Sequence, residues 1–248
     1  MTSVDGHAGA LALSLVRHAE SEGNLADTKA REARAERLEL TERDADVPLS
    51  PAGREQARAL GEAWRRLDRA DRPSRLLSSP YLRALETAWY AVESAGWDLP
   101  VERDERLRER DLGLLDGFTR YGIEAKFPEE AKRRTWLGKF YYRPPGGESW
   151  ADVAGRVRAV LEAHRLSDGD RLVVVTHQAV IMLARYVLED LTEQQVLEID
   201  DQEQVTNTAV TTYVMTDGKA RLVRYNDTSH LERHDAPETE EADAASAG

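Results

Sequence analysis

Two apolar runs in this sequence each end in a histidine, and the residues around those histidines suit phosphate chemistry. Leu11-Ala12-Leu13-Ser14-Leu15-Val16 alternates like a strand and is followed by Arg17-His18. Arg171-Leu172-Val173-Val174-Val175-Thr176 is β-branched like a buried central strand and delivers His177 ahead of a helical stretch, 179–188. Open α/β sheets build their sites at the carboxyl ends of strands. An imidazole nitrogen there can attack phosphorus, while a neighbouring guanidinium holds two phosphoryl oxygens in its fork and offsets their charge. One Arg-His pair is usually a surface coincidence; a second strand ending in histidine makes it a site. The remaining histidines, His7, His164, His230 and His234, lie in polar termini or at helical spacing and read as structural or solvated. Metal binding is the rival explanation for paired histidines. The chain has no cysteine and neither His18 nor His177 belongs to an H-x-x-x-H pattern, so a phosphate site is favoured over a metal site.

Positioning these groups requires a scaffold, and its pieces are visible. Ser50-Pro51 is a helix N-cap followed by a residue suited to the first turn, and Ala57, Leu60, Trp64 and Leu67 continue it as one apolar stripe. Arg83 stands in the first turn of a second helix whose core side is Leu82, Leu85, Ala88, Trp89 and Val92, with Ser79 as the expected cap; from there it can reach toward His18. Residues 25–40 read as a charged, solvated helix near the site mouth, and 210–215 with 222–225, around Thr216-Asp217-Gly218-Lys219, as an antiparallel hairpin at a sheet edge. Between Phe118 and Arg143 the sequence concentrates cations and aromatics, among them Arg120, Lys126, Lys132, Trp136, Lys139 and Tyr141. Two readings stay open for this insertion: a cap that uses them over the pocket, or a helix pair with a solvated basic face.

The motifs occur in the order of a known family. Arg17-His18 with Asn24, then Leu49-Ser50-x-x-Gly53-x-x-Gln56-Ala57, Ser78-Ser79-x-x-x-Arg83-Ala84-x-Glu86-Thr87-Ala88, Leu107-x-Glu109 with Gly113 and Asp116-Gly117, and Gly147-Glu148-Ser149 together resemble the histidine phosphatase superfamily, also called phosphoglycerate-mutase-like, from about residue 13 to 225. The resemblance implies an α/β fold: a three-layer α/β/α sandwich with a mostly parallel central sheet, helices on both faces and a small helical cap insertion at about 118–146. It implies a ping-pong transfer in which neutral His18 attacks phosphorus, Arg17, Arg83 and His177 neutralise the equatorial oxygens, and Glu109 serves first as acid and then as base. Read from the residues alone, Glu109 is equally one more solvated acid in the charged run 102–111. Asn24, Ser149 and Gln178 are the expected further contacts to phosphoryl group or substrate. No metal and no cofactor is implied. Two positions depart from the pattern: Gln178 stands where glycine is usual, and Asp116 where glutamate is.

Composition bounds the rest. The 248 residues, 41% hydrophobic, suffice for one substantial α/β core, expected at 11–231 between a flexible arm, 1–10, and an acidic, disordered tail, 232–248. A net charge of -12 argues against nucleic acid as a partner, and no apolar run is long enough to span a bilayer. A cytoplasmic enzyme acting on a small phosphorylated substrate is expected, and a homodimer is left open. The short distance from Pro145 to Glu148 favours hydrolysis over a 2,3-bisphosphoglycerate-dependent mutase. An alternative of another class is a non-catalytic phosphate- or protein-binding module on the same fold.

Overall fold

The computed structural model describes residues 11–166, 169–216 and 218–239. The arm 1–10, residue 217 of the expected turn and residues 240–248 of the expected tail lie outside the described residues. Strand β1 (Ala12–Arg17) leads to helix α1 (Glu22–Glu32) and, after a long irregular segment, to α2 (Pro51–Arg65). β2 (Arg75–Ser78), α3 (Leu82–Ala95) and β3 (Val101–Arg103) follow. The insertion holds α4 (Arg120–Lys126) and α5 (Pro128–Tyr141); then come α6 (Trp150–Ala163), β4 (Arg171–Thr176), α7 (Gln178–Leu188) and α8 (Glu193–Gln202). The hairpin β5 (Val210–Thr216) and β6 (Lys219–Asp227) and the short α9 (Ser229–Arg233) complete the chain.

The six strands form one sheet in the order β3-β2-β4-β1-β5-β6, parallel from β3 to β1 and antiparallel through the hairpin. Strand alternation explains the layers. Leu13 and Leu15 of β1, Leu77 of β2, and Leu172 and Val174 of β4 enter one apolar cluster with Val153 and Val157 of α6 and Ile181 and Leu183 of α7. Val16, Leu76, Val173 and Val175 point the other way, onto Leu60 and Trp64 of α2 and Ala84, Ala88 and Ala91 of α3. The expected three-layer α/β/α sandwich is therefore present, with helices on both faces of the sheet.

Two expectations change. Residues 25–40 are helical only to Glu32; Arg34 turns into the left-handed region at φ 50°, Arg37 pairs with Phe118 and the Leu38 amide donates to Gly117 O at 3.0 Å. This stretch has no apolar stripe to hold a longer helix on a core, so its backbone pairs with the 117–119 segment instead. At the other end, the part of the expected tail up to Thr239 is half-buried to exposed but tied to the domain by hydrogen bonds. The Gln56 amide donates to Pro237 O and Thr239 Oγ1, each at 2.8 Å, and the Asn207 amide to Thr239 O at 3.0 Å. Polar contacts anchor what lacks apolar side chains.

Candidate active site

Arg17 of β1 and Thr176 of β4 are register partners, so the next residue on each strand, His18 and His177, emerges beside the other at the sheet's carboxyl edge. Their ring centroids are 5.1 Å apart, and both side chains are buried. His18 Nδ1 lies 2.8 Å from Ala19 O. A carbonyl only accepts, so the proton sits on Nδ1 and the Nε2 lone pair is bare. Burial first, then the charges of Arg83 and Arg17, hold the His18 pKa well below its ordinary value, which keeps the ring neutral and nucleophilic.

The loop behind His18 has every amide from 18 to 21 satisfied. His18 N donates to Thr176 O, Ala19 N to Thr87 Oγ1, Glu20 N to Gln56 Oε1 and Ser21 N to Asn24 Oδ1, all between 2.8 and 3.0 Å. Its carbonyls are held too, since Asn207 Nδ2 donates to His18 O at 3.0 Å and Thr208 N to Arg17 O at 3.1 Å. Gly53 lets the first turn of α2 approach this loop: a Cβ there would stand 1.9 Å from Glu20 O. Glu20 itself accepts from Ser50 Oγ at 2.5 Å and belongs to the scaffold.

Around the nucleophile stand the groups that handle charge. Arg17 Nη1 donates to Val205 O. Arg83 Nη1 contacts both Asp44 O, at 2.6 Å, and Asp44 Oδ1, at 2.9 Å, while its guanidinium lies 5.1 Å from the Tyr81 ring. His177 Nε2 is 2.8 Å from Ser79 Oγ, which also accepts from Tyr81 N at 3.2 Å. With Ser79 as the donor to Nε2 the His177 proton sits on Nδ1, a buried atom with no hydrogen-bond partner, 3.9 Å from Glu109 Oε2. Burial and the nearby Arg83 keep His177 neutral as well. Glu109 accepts from Arg110 N at 2.8 Å; burial pushes its carboxyl up to about 7 against the pull of that amide, Arg83 and Arg156. It can give a proton and take one back near neutral pH.

Arg17, His18, Asn24, Arg83, Glu109 and Gln178 all line one cavity of about 340 Å³, with His177 in the wall behind His18. Gln178 is held from the α8 side, where its Nε2 donates to Asp200 Oδ1 at 3.2 Å and to Gln204 Oε1. Ser149 is placed elsewhere than expected. It caps α6, bonded reciprocally with Asp152, and is not among the cavity's lining residues. Its neighbour Glu148 is a support: it binds Arg156 at 3.0 Å, Arg108 at 2.9 Å and Asp111 N at 3.1 Å, which fixes the loop carrying Glu109. The cations of the insertion are also absent from the lining, which takes only Phe118 from that segment. Arg120 pairs with Glu124, Lys126 with Glu36, Lys132 with Glu129 and Arg143 with Asp152, which agrees with the solvated-face reading for these cations, whereas Lys139 is half-buried against Asp200 and lies 5.0 Å from the Trp150 ring.

Several contributors escaped the sequence reading. The 33–47 segment supplies Arg37, Leu38, Leu40, Glu42 and Asp44 to the mouth of the cavity. Ser79 acts on His177, although α3 itself begins after Tyr81 without a side-chain cap bond. Asn207 and Thr208 are fully buried. A buried polar run, Thr206-Asn207-Thr208, just ahead of an apolar strand was the available signal. Among the described residues no group of three or more His, Cys, Asp or Glu is placed to hold a metal ion, and no helix is long and apolar enough to cross a membrane.

Known proteins resemble the chain in sequence and fold. The chain is 33% identical over 195 residues to a 2,3-bisphosphoglycerate-dependent phosphoglycerate mutase of Methylobacterium radiotolerans, covering 75% of this chain and 83% of that protein. It is 34% identical over 191 residues to phosphoglycerate mutase-like protein 4 of Arabidopsis thaliana, covering 75% and 77%. A mycobacterial glucosyl-3-phosphoglycerate phosphatase solved with inorganic phosphate superimposes with a TM-score of 0.66 at 28% identity, over 89% of this chain and 99% of that one. The family model for the histidine phosphatase superfamily, branch 1, matches residues 13–228. Nearly the whole described fold, both histidine-bearing strand ends included, falls within that match, and the chain belongs to the histidine phosphatase superfamily.

Proposed function

We propose that the protein hydrolyses phosphate monoesters of small metabolites through a phosphohistidine at His18. The observation that carries this reading is the pairing of a bare His18 Nε2 with a carboxyl, Glu109, pushed up to about 7 in the same cavity. In the first step the Nε2 lone pair forms a bond to phosphorus as the ester P–O bond breaks, and protonated Glu109 gives its proton to the departing oxygen. Arg17, Arg83 and the His177 Nδ1 proton receive the charge on the three equatorial oxygens. In the second step ionised Glu109 takes a proton from water, the water oxygen bonds to phosphorus, and phosphate leaves with His18 restored neutral. The protein's own cations supply the stabilisation, so activity survives chelation of divalent metal; a strict dependence on added Mg²⁺ counts against the reading.

Mutase activity is the second reading, favoured by the sequence relatives named mutases. A mutase must shelter its phosphoenzyme from water and hold an anionic phosphoglycerate. Arg120, Lys126 and Lys132 of the insertion are paired with acids and do not line the cavity, which supports hydrolysis over that role. Incubation with p-nitrophenyl phosphate, and separately with 3-phosphoglycerate plus 2,3-bisphosphoglycerate, separates the two. Phosphate release from the aryl ester with no 2-phosphoglycerate formed is the expected outcome; efficient isomerisation reverses the assignment.

A further inference from the structure

The cavity extends well beyond the phosphoryl centre, and its charges can be counted. Its lining carries four guanidiniums, Arg17, Arg37, Arg83 and Arg110, and five carboxyls, Asp27, Glu42, Asp44, Glu109 and Asp116. Asp27 is ion-paired with Arg31 outside the lining, so with Glu109 protonated for the first step four cations face three carboxylates before substrate enters. A phosphate monoester brings about two negative charges at neutral pH. Those are met at the inner end by Arg17 and Arg83, with buried His177 Nδ1 in the wall 3.9 Å from Glu109 Oε2.

The outer guanidiniums are already engaged. Arg83 is already shared with Asp44. Arg110 directs Nε to Glu148 O at 2.7 Å and Nη2 to Tyr142 O at 3.3 Å, and Arg37 lies 4.3 Å from the Phe118 ring. Around them the lining adds Asp116 beside Gly117 and Phe118, Glu42, and the side chains of Leu38, Leu40 and Leu112, with Ser21, Asn24, Trp150 and Gln178 as its other polar groups. Asp116 reports the local field, for its pKa is raised first by burial and then by Asp44 and Asp111. Carboxylates only accept hydrogen bonds, so a leaving group that satisfies them must bring donors.

Building on the phosphatase reading, we infer that the outer cavity selects phosphate monoesters of uncharged, hydroxyl-rich alcohols, with Asp116 as the acceptor that excludes a carboxylate or a second phosphate from the leaving group. Glycerol 3-phosphate and 3-phosphoglycerate make a matched test, because they differ only in a terminal hydroxymethyl against a carboxylate. Each is assayed for kcat/KM and as a competitive inhibitor of p-nitrophenyl phosphate hydrolysis, in the wild-type protein and in Asp116→Asn. The wild type favours glycerol 3-phosphate by about tenfold or more in kcat/KM and in inhibition constant, and Asp116→Asn narrows that ratio several-fold by weakening the repulsion. Equal or stronger interaction with 3-phosphoglycerate, no inhibition by either compound, or a ratio unmoved by Asp116→Asn overturns the inference while p-nitrophenyl phosphate is still hydrolysed. Loss of the aryl phosphatase activity itself identifies failure of the underlying reading instead.

Discussion

The inner and outer halves of the cavity are built by different means. The inner half rests on two adjacent parallel strands whose register sets His18 beside His177, and every loop amide around the nucleophile has a fixed acceptor. The outer half comes from irregular segments, 33–47 and 109–118, whose side chains are partly exposed and whose backbone pairs only at isolated points such as Arg37 with Phe118. A phosphoryl group demands sub-ångström placement, which a sheet can supply. The leaving group varies from substrate to substrate, and loops can change without disturbing the sheet. Substitutions inside should therefore abolish chemistry, while those outside should redistribute specificity.

The largest effect is expected at His18. His18→Ala lowers turnover by roughly three or more orders of magnitude and yields no acid-labile, base-stable phosphoenzyme, because no other nucleophile faces the cavity centre. Recovery of such an adduct on the variant would relocate the nucleophile and break the inner half of the comparison.

Glu109→Gln comes next. Alkyl phosphates need their leaving oxygen protonated and should lose about 10²- to 10⁴-fold, whereas p-nitrophenolate departs without help, so the aryl substrate should give a burst followed by slow turnover. Equal small losses on both substrates with no burst would remove Glu109 from the mechanism; Asp116, which lines the cavity, would then replace it, since Glu20 is bonded to Ser50. Stability moves the other way. The Glu109 carboxyl titrates at an ordinary 4.5 in the unfolded chain and at about 7 in the folded one, so the folded state binds the extra proton and loses stability as pH rises through that window. At pH 8 the glutamine variant should be more stable by about 1 to 3 kcal/mol, and at pH 4 no more stable than wild type. Thermal melts at the two pH values check the sign.

The same carboxyl separates the two chemical steps by pH. For an alkyl substrate, kcat/KM reports the free enzyme and should fall roughly tenfold per unit above pH 7 as Glu109 ionises. Its acid limb should lie well below 6.5, where His18 gains a proton, after allowance for the substrate's own ionisation near pH 6. Hydrolysis of isolated phosphoenzyme needs ionised Glu109 and should slow as pH falls below 7. Parallel pH profiles for the two steps would mean that different groups serve as acid and base.

How much of this was legible follows the same division. His18 and His177 could be placed because a period-two or β-branched apolar run identifies a strand, and chemistry identifies what stands at its end. Arg83 and Glu109 needed the family's motif order, since an arginine in a first helical turn and a glutamate in an acidic run look solvated by themselves. Ser79, Asn207 and Thr208 act through hydroxyls and amides on partners nearly 100 or more residues away in sequence, a relation no local pattern encodes. Residues 33–40 were misread as helix because their Ala, Glu, Arg and Leu composition suits one, yet without a core-facing stripe the chain leaves the helix at Arg34. Ser149 illustrates a chemical residue in a motif whose hydroxyl serves a helix cap.

The smallest expected effect tests where the outer half ends. The insertion's cations attract attention in an acidic protein, but Lys126 is 3.1 Å from Glu36 and Lys132 is 2.9 Å from Glu129, both with exposed side chains. Exposed pairs contribute about 0 to 1 kcal/mol, so Lys126→Ala with Lys132→Ala should leave the melting temperature nearly unchanged. Neither residue lines the cavity, and kcat/KM for glycerol 3-phosphate should stay within about twofold of wild type, with weak salt dependence in both proteins. Arg37, which does line it, provides the contrast: Arg37→Ala should change KM several-fold with kcat retained, as expected for uniform binding. If the lysine pair instead lowered kcat/KM by tenfold at unchanged stability, α4 and α5 would have to swing over the cavity during turnover. The insertion would then belong with the substrate-selecting half of the molecule, and the count of four guanidiniums against three carboxylates would need its lysines added.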